Sequence, residues 1–161
     1  MALTTVDTTM LGAGGVVQIV NTQTGAVATG TTTTPLDDTI PQNTEGNQYM
    51  TLAITPKATT NRLKIEVQFV YAHSTGVHVT VALFQDNTAN ALAAVVDGTG
   101  VADAMSPVSL VHYMTAGTTS ETTFKVRAGG VSGTLTFNGR AGARIDGGVL
   151  ASSITITEYA A

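Results

Sequence analysis

Three histidines, eleven carboxylates and seven Lys and Arg residues are the chemical stock of this 161-residue chain, and it has no cysteine. Disulfide frameworks, zinc-thiolate sites and cysteine nucleophiles are thereby excluded. His73 and His78 come nearest to a metal-ligand spacing, flanking Ser74-Thr75-Gly76. If the stretches on either side pair as a hairpin across that loop, the two rings face opposite sides of the sheet. One chain then cannot bring both to one ion; the same histidine from symmetry-related chains would be needed. His112 stands alone, and no zincin motif occurs. Asp37 and Asp38 are adjacent, so on a strand they diverge and cannot form the facing pair that glycoside hydrolysis requires. Between Pro35 and Pro41 they suit turn hydrogen bonds instead. Asp86, Asp97, Asp103 and Asp146 sit beside Gly, Asn or Ala in expected loops and form no motif. There is no Gly-x-Ser-x-Gly elbow. Gly12-Ala13-Gly14-Gly15 lacks both the preceding strand and the Lys-Ser/Thr ending of a phosphate loop. No catalytic, metal or cofactor residues are assigned, and the expectation is a protein that is not an enzyme.

Chemistry of contact is better represented. Asp86-Asn87-Thr88-Ala89-Asn90 is a turn cluster, and Asn138-Gly139-Arg140-Ala141-Gly142-Ala143-Arg144 places two guanidiniums in a glycine-rich loop. Those cations suit an acidic glycan or a neighbour's carboxylate; a solvated loop is the plainer alternative. The candidate surface contacts are Asp86, Asn87, Asn90, Asn138, Arg140 and Arg144.

The elements that must carry these loops read as strands. Charged residues are only 11% of the chain, while the hydrophobic fraction is 43%. Neutral polar groups make up the difference, chiefly about thirty threonines, a β-branched type that fits a half-exposed pleated surface. Val16 to Val20 is a short β-branched run. Met50, Leu52 and Ile54 alternate with Thr51 and Ala53 until Pro56. Leu63, Ile65, Val67, Phe69 and Tyr71 alternate with Lys64, Glu66 and Gln68, and Val77, Val79, Val81 and Leu83 alternate with His78, Thr80 and Ala82. The three-residue loop between these two runs, ending in glycine, predicts a hairpin pairing Tyr71 with Val79, Phe69 with Val81 and Val67 with Leu83. Ala91 to Val96 is ambiguous between strand and helical turn. Alternation returns at Val108 to Met114, Phe124 to Ala128, Leu135 to Phe137 and Ile154 to Ile156. Many short strands with turn signals between them predict an all-β antiparallel β-sandwich, jelly-roll-like. Val70, Ala72, Ala82 and Phe84 fall on the second face of the expected hairpin. Either another part of the same sandwich or another subunit must cover them.

Residues 1–15 read as a flexible arm, either frayed or anchored on a virion or neighbour, and residues 16–161 as one domain. The net charge is −4 and the seven cations form no basic stripe, which argues against nucleic acid as a partner. No run of 18 apolar residues exists, so no helical membrane insertion is expected. The start lacks the pattern of a signal peptide. Release by lysis of the producing cell fits that absence.

Several phrases resemble a family of bacteriophage appendage modules found in tail-fibre-like and other virion surface proteins. They are Thr24-Gly25-Ala26-Val27-Ala28-Thr29-Gly30-Thr31-Thr32, Asp38-Thr39-Ile40-Pro41-Gln42-Asn43-Thr44-Glu45-Gly46 and Ala82-Leu83-Phe84-Gln85-Asp86-Asn87-Thr88-Ala89-Asn90-Ala91-Leu92-Ala93. Tyr113-Met114-Thr115-Ala116-Gly117-Thr118-Thr119, Thr123-Phe124-Lys125-Val126-Arg127-Ala128-Gly129 and Ser152-Ser153-Ile154-Thr155-Ile156-Thr157-Glu158 continue the likeness. The resemblance spans nearly everything from Val16 onward. It implies a jelly-roll-like β-sandwich head assembled as a homotrimer, made in the bacterial cytoplasm and displayed on the virion surface. Its implied partners are other virion proteins, either the major capsid protein or a tail or fibre component, and a host-surface glycan. It supplies no active site to carry across. Only about fifteen residues precede the head, where a long fibre would place a shaft. A fibre head contributing to host attachment is the first expectation, and a trimeric capsid decoration (cement) protein the alternative.

Overall fold

A computed structural model describes residues 12–161. The expectation for residues 1–15 falls largely outside them; residues 12–15 form a turn tied to the end of the chain. There the Gly14 N–H donates to the Ala160 carbonyl and the Ala160 N–H to that of Gly15.

The strands are β1 (Val16–Thr24), β2 (Ala28–Gly30), β3 (Asn47–Ile54), β4 (Arg62–His73), β5 (His78–Gln85), β6 (Ala93–Gly98), β7 (Met105–Thr115), β8 (Thr122–Gly130), β9 (Leu135–Phe137), β10 (Gly139–Arg140), β11 (Ala143–Arg144) and β12 (Ser152–Tyr159). Every ladder is antiparallel. In the first sheet β4 is central, with β7 along one edge. On its other edge β12 pairs residues 62–68 and β9 pairs residues 71–73. β1 then flanks β12, and β2 flanks β9. β1 with β2, and β9 with β12, therefore each act as one interrupted strand. The second sheet runs β3-β8-β5-β6. Counted so, eight strands form one sheet in the order first, eighth, third, sixth and another in the order second, seventh, fourth, fifth. That order is an eight-stranded jelly roll with two Greek keys, and the expected fold class holds.

The alternating apolar residues of both sheets meet between them. Leu63, Ile65, Val67, Phe69 and Tyr71 of β4 face Val79, Val81 and Leu83 of β5, with Phe124, Val126, Ile154 and Ile156 around them. Tyr49, Phe69 and Phe137 make a tight aromatic group, with ring centroids 4.9–5.6 Å apart. Each of these large side chains contributes roughly 1.5–3 kcal/mol by leaving water.

The expected β4–β5 hairpin does not form. β4 pairs with β12, β9 and β7, while β5 pairs with β6 and β8, so the chain arches from one sheet to the other through residues 74–77. The two apolar faces do meet, but across the core and not side by side within one sheet. The second face is covered within the chain. Ala82 and Phe84 of β5 are buried, beneath residues 31–46, which cross the outer side of the second sheet. That crossing segment is fastened by the Thr34 N–H to the Gly130 carbonyl, by Arg127 to the Glu45 and Gly46 carbonyls, and by the Ala91 N–H to the Pro41 carbonyl. Gly46 (φ +61°) and Gly129 permit the approach: a Cβ on Gly129 would lie 2.5 Å from the Thr32 carbonyl oxygen. Ala72 is likewise buried, on the outer side of the first sheet.

Candidate functional site

The six candidate contact residues fall in three separate places. Asp86, Asn87 and Asn90 form the exposed β5–β6 corner. Asp86 adopts φ +51°, and its carboxylate accepts from the Thr123 N–H (2.8 Å) and the Thr122 hydroxyl (2.8 Å). The Lys125 ammonium donates to the Asp86 carbonyl at 2.6 Å and to Asn87 Oδ1 at 3.3 Å. Asn43 Nδ2 donates to the Asn87 and Thr88 carbonyls, and Gln42 Nε2 to Asn90 Oδ1. Asp86 thus staples β5 to β8, and the corner doubles as the anchor of residues 31–46.

Arg140 and Arg144 are exposed on a two-residue β10–β11 hairpin. Ala141 (φ +50°) and Gly142 (φ +77°) supply the left-handed pair of a type I′ turn. The Gly142 N–H donates to Thr136 Oγ1 at 3.1 Å. Thr136 pairs with the outward Ala72, so this hairpin folds over the outer side of the first sheet and buries both residues there.

Asn138 is a correction. It reads as a surface loop residue, yet it is 0% exposed. Held at φ +51°, it sits where β9 breaks from β12. Its Nδ2 donates to the Thr24 carbonyl (2.7 Å) and the Ala26 carbonyl (3.3 Å), and Oδ1 accepts from the Ser152 hydroxyl (2.7 Å). That hydroxyl in turn accepts from the Val70 N–H, while the Asn138 N–H donates to the Val70 carbonyl. One side chain thereby joins the break between β1 and β2 to the break between β9 and β12. An Asn-Gly pair at a strand end looks the same in sequence whether it turns in solvent or clasps a buried break.

The histidines are not brought together. His73 is buried, His78 is exposed, and His112 is partly buried on the inward side of β7 opposite Ile65. Among the described residues no group of three metal-ligating side chains forms. Burial holds the His73 imidazole below its ordinary pKa, partly offset by the Ser132 carbonyl and the Asp103 carboxylate. Burial also lowers His112. Asp97 is held low first by the Ser106 hydroxyl and then by the Tyr71 hydroxyl, which donates at 2.9 Å. This trio ties β6 of the second sheet to β4 and β7 of the first.

One open surface was not singled out by sequence. Arg62 and Lys64 of β4, Tyr113 of β7 and Tyr159 of β12 share the outer side of the first sheet, at the end opposite the β10–β11 hairpin. Tyr113 is 53% exposed, and Val111 beside it is also exposed. The Arg62 guanidinium and the Lys64 ammonium each lie 5.9 Å from the Tyr113 ring centroid. Arg62, Tyr113 and Tyr159 line a groove of about 560 Å³, walled by Ala13, Gly14, Ala160 and Ala161. The available signal was Val111 and Tyr113 occupying the phase of β7 where polar residues belong.

No protein-family model and no curated protein matches the chain. Among solved structures it is similar to one of the infectious bursal disease virus Gx strain, at 12% identity and TM-score 0.42, over 99% of this chain and 41% of that one. It is similar to dimeric latent PorU from Porphyromonas gingivalis at 8% identity and TM-score 0.41, over 92% and 13%. A third likeness is to the enzymatically active domain of bacteriophage CBA120 tailspike protein 4, at 14% identity and TM-score 0.32, over 74% and 18%. The chain spans about two fifths or less of each of these. The jelly-roll assignment stands on the chain's own hydrogen-bond ladders.

Proposed function

We propose that this chain is a bacteriophage virion structural protein, a homotrimeric jelly-roll head on the virion surface that contributes to host attachment and performs no catalysis. The observation that carries the reading is a jelly roll whose interior is filled by its own side chains and whose binding potential lies outside. Eight-stranded jelly rolls serve as viral capsid, lectin and cupin domains. Fold alone does not choose among them. Aliphatic and aromatic residues fill the space between the sheets, which disfavours an internal ligand chamber. The outer side of the first sheet instead offers exposed apolar and aromatic groups beside the charged Arg62 and Lys64, as suits an interaction surface.

The test is adsorption competition. Purified full-length protein at saturation is expected to block virion attachment to the host, and undiminished attachment would refute that role. Copy number in purified virions checks the setting. A level near that of tail components fits a fibre head, and parity with the major capsid protein would replace this reading with capsid decoration. Light scattering at micromolar concentration is expected to give three times the 16.4 kDa chain mass.

A further inference from the structure

We infer that the groove between Arg62, Tyr113 and Tyr159 is a binding site for an acidic saccharide, a pyranose that carries a carboxylate; the inference builds on the attachment reading above. Its two chemical halves are side by side. Tyr113 presents a half-exposed ring near the end of β7, and the electron-rich face of a phenol ring suits the weakly positive C–H face of a pyranose. Next to it, the planar fork of Arg62 matches a carboxylate with two parallel hydrogen bonds.

The guanidinium is available. Among the described residues the one ion pair is Lys64 with Glu66, at 2.8 Å, and none of their carboxylates pairs with Arg62. Lys64 is taken up by Glu66, so the Arg62 guanidinium is the side-chain charge that lines the groove. A guanidinium left without an ion-pair partner favours an anion. Size selects a small one. A groove of about 560 Å³ lies within the range of roughly 300–1,000 Å³ typical of small-molecule sites. Its wall is held in place by the two backbone hydrogen bonds that join Gly14 and Gly15 to Ala160. Of the other contact candidates, Asn138 is buried, and the Asp86 carboxylate is consumed by Thr122 and Thr123.

The experiment is an amide chemical-shift titration of the full chain with a glucuronate oligosaccharide, with glucose and acetate as comparisons. Saturable shifts are expected around residues 62–64, 113 and 159–161 with the glucuronate. Arg62→Gln is expected to weaken binding about tenfold or more, the usual scale for losing charge-assisted hydrogen bonds. Tyr113→Ala is expected to weaken it about fivefold, the scale of a lost ring contact. Both residues are exposed, so melting should not move. Equal shifts with glucose would overturn the acidic class. Shifts that follow protein concentration and not sugar would mean a second copy occupies the groove, and would also overturn the inference. The two variants are then carried into the adsorption assay. If wild type competes and both variants compete equally well, the site fails while the attachment reading stands. If wild type does not compete but glucuronate binds, the attachment reading fails while the groove stands.

Discussion

Replacing Asn138 by Ala tests the clasp that joins the two interrupted strands. The substitution removes the donor to the Thr24 and Ala26 carbonyls and the acceptor of the Ser152 hydroxyl. Both Asn138 and Ser152 are fully buried, so water does not readily replace what is lost. Leaving buried polar groups unpaired costs about 1–3 kcal/mol each. Alanine also meets the left-handed backbone at φ +51°, a penalty of about 1–2 kcal/mol that asparagine tolerates better. Together these predict a loss of about 4 kcal/mol, or roughly 8–16 °C in Tm for a chain of this size. The assay is calorimetric melting with urea unfolding as the check. Asn138→Gly relieves the backbone part and should recover about 1 kcal/mol relative to Ala. Asn138→Ala and Ser152→Ala should combine less than additively, by about 1 kcal/mol or more, because they share one bond network. A loss under about 1 kcal/mol for Asn138→Ala, or strict additivity of the pair, would refute the clasp.

Three further outcomes follow from buried or crowded groups. Glu158 is buried, with Oε1 accepting from the Lys57 N–H and Asn61 Nδ2 and Oε2 from Gln18 Nε2. Glu158→Ala should cost about 3–5 kcal/mol in urea unfolding by stranding those donors, and a cost near zero would remove it from the list of structural groups. His73 and His112 are both lowered in the folded protein, so the unfolded chain binds more protons below pH 6.5. Stability should therefore be flat above that pH and fall as pH drops through it, with a slope of at most about 1.4 kcal/mol per pH unit for each histidine. A denaturation series from pH 8 to 5 that shows no decline in wild type would contradict their burial. Gly129→Val should push residues 31–46 off the second sheet, since its Cβ would sit 2.5 Å from the Thr32 carbonyl oxygen. Faster amide exchange on β5 and dye binding at the uncovered Phe84 are the readouts, and unchanged exchange would mean the segment is not what shields that face.

How much of this was legible in the sequence depends on what alternation can and cannot say. A period of two tells which side chains share a face, so the inward sets of β3, β4, β5, β7, β8 and β12 are readable residue by residue. It does not tell whether two such faces lie edge to edge in one sheet or confront each other across a core. Residues 63–71 and 77–83 satisfy both geometries, and a short loop ending in Gly76 serves a tight arch as well as a hairpin. The deciding information lay in the other face of β5. Thr80, Ala82 and Phe84 are all buried, so β5 needs cover on both sides, as a central strand flanked by β8 and β6 beneath residues 31–46 does. A two-strand ribbon with one wet side could not provide it. The same reasoning recovers the groove. Polar residues on the outer phase of β4, such as Lys64 and Glu66, mark a wet face, and Val111 and Tyr113 on that phase of β7 break the pattern where the described residues leave them exposed. Burial on the wrong phase located an internal cover, and exposure on the wrong phase located the surface proposed above as a binding site. Asn138 escaped because neither signal applies to a single amide at a strand break; its role lies in the hydrogen bonds that Thr24, Ala26, Val70 and Ser152 make around it.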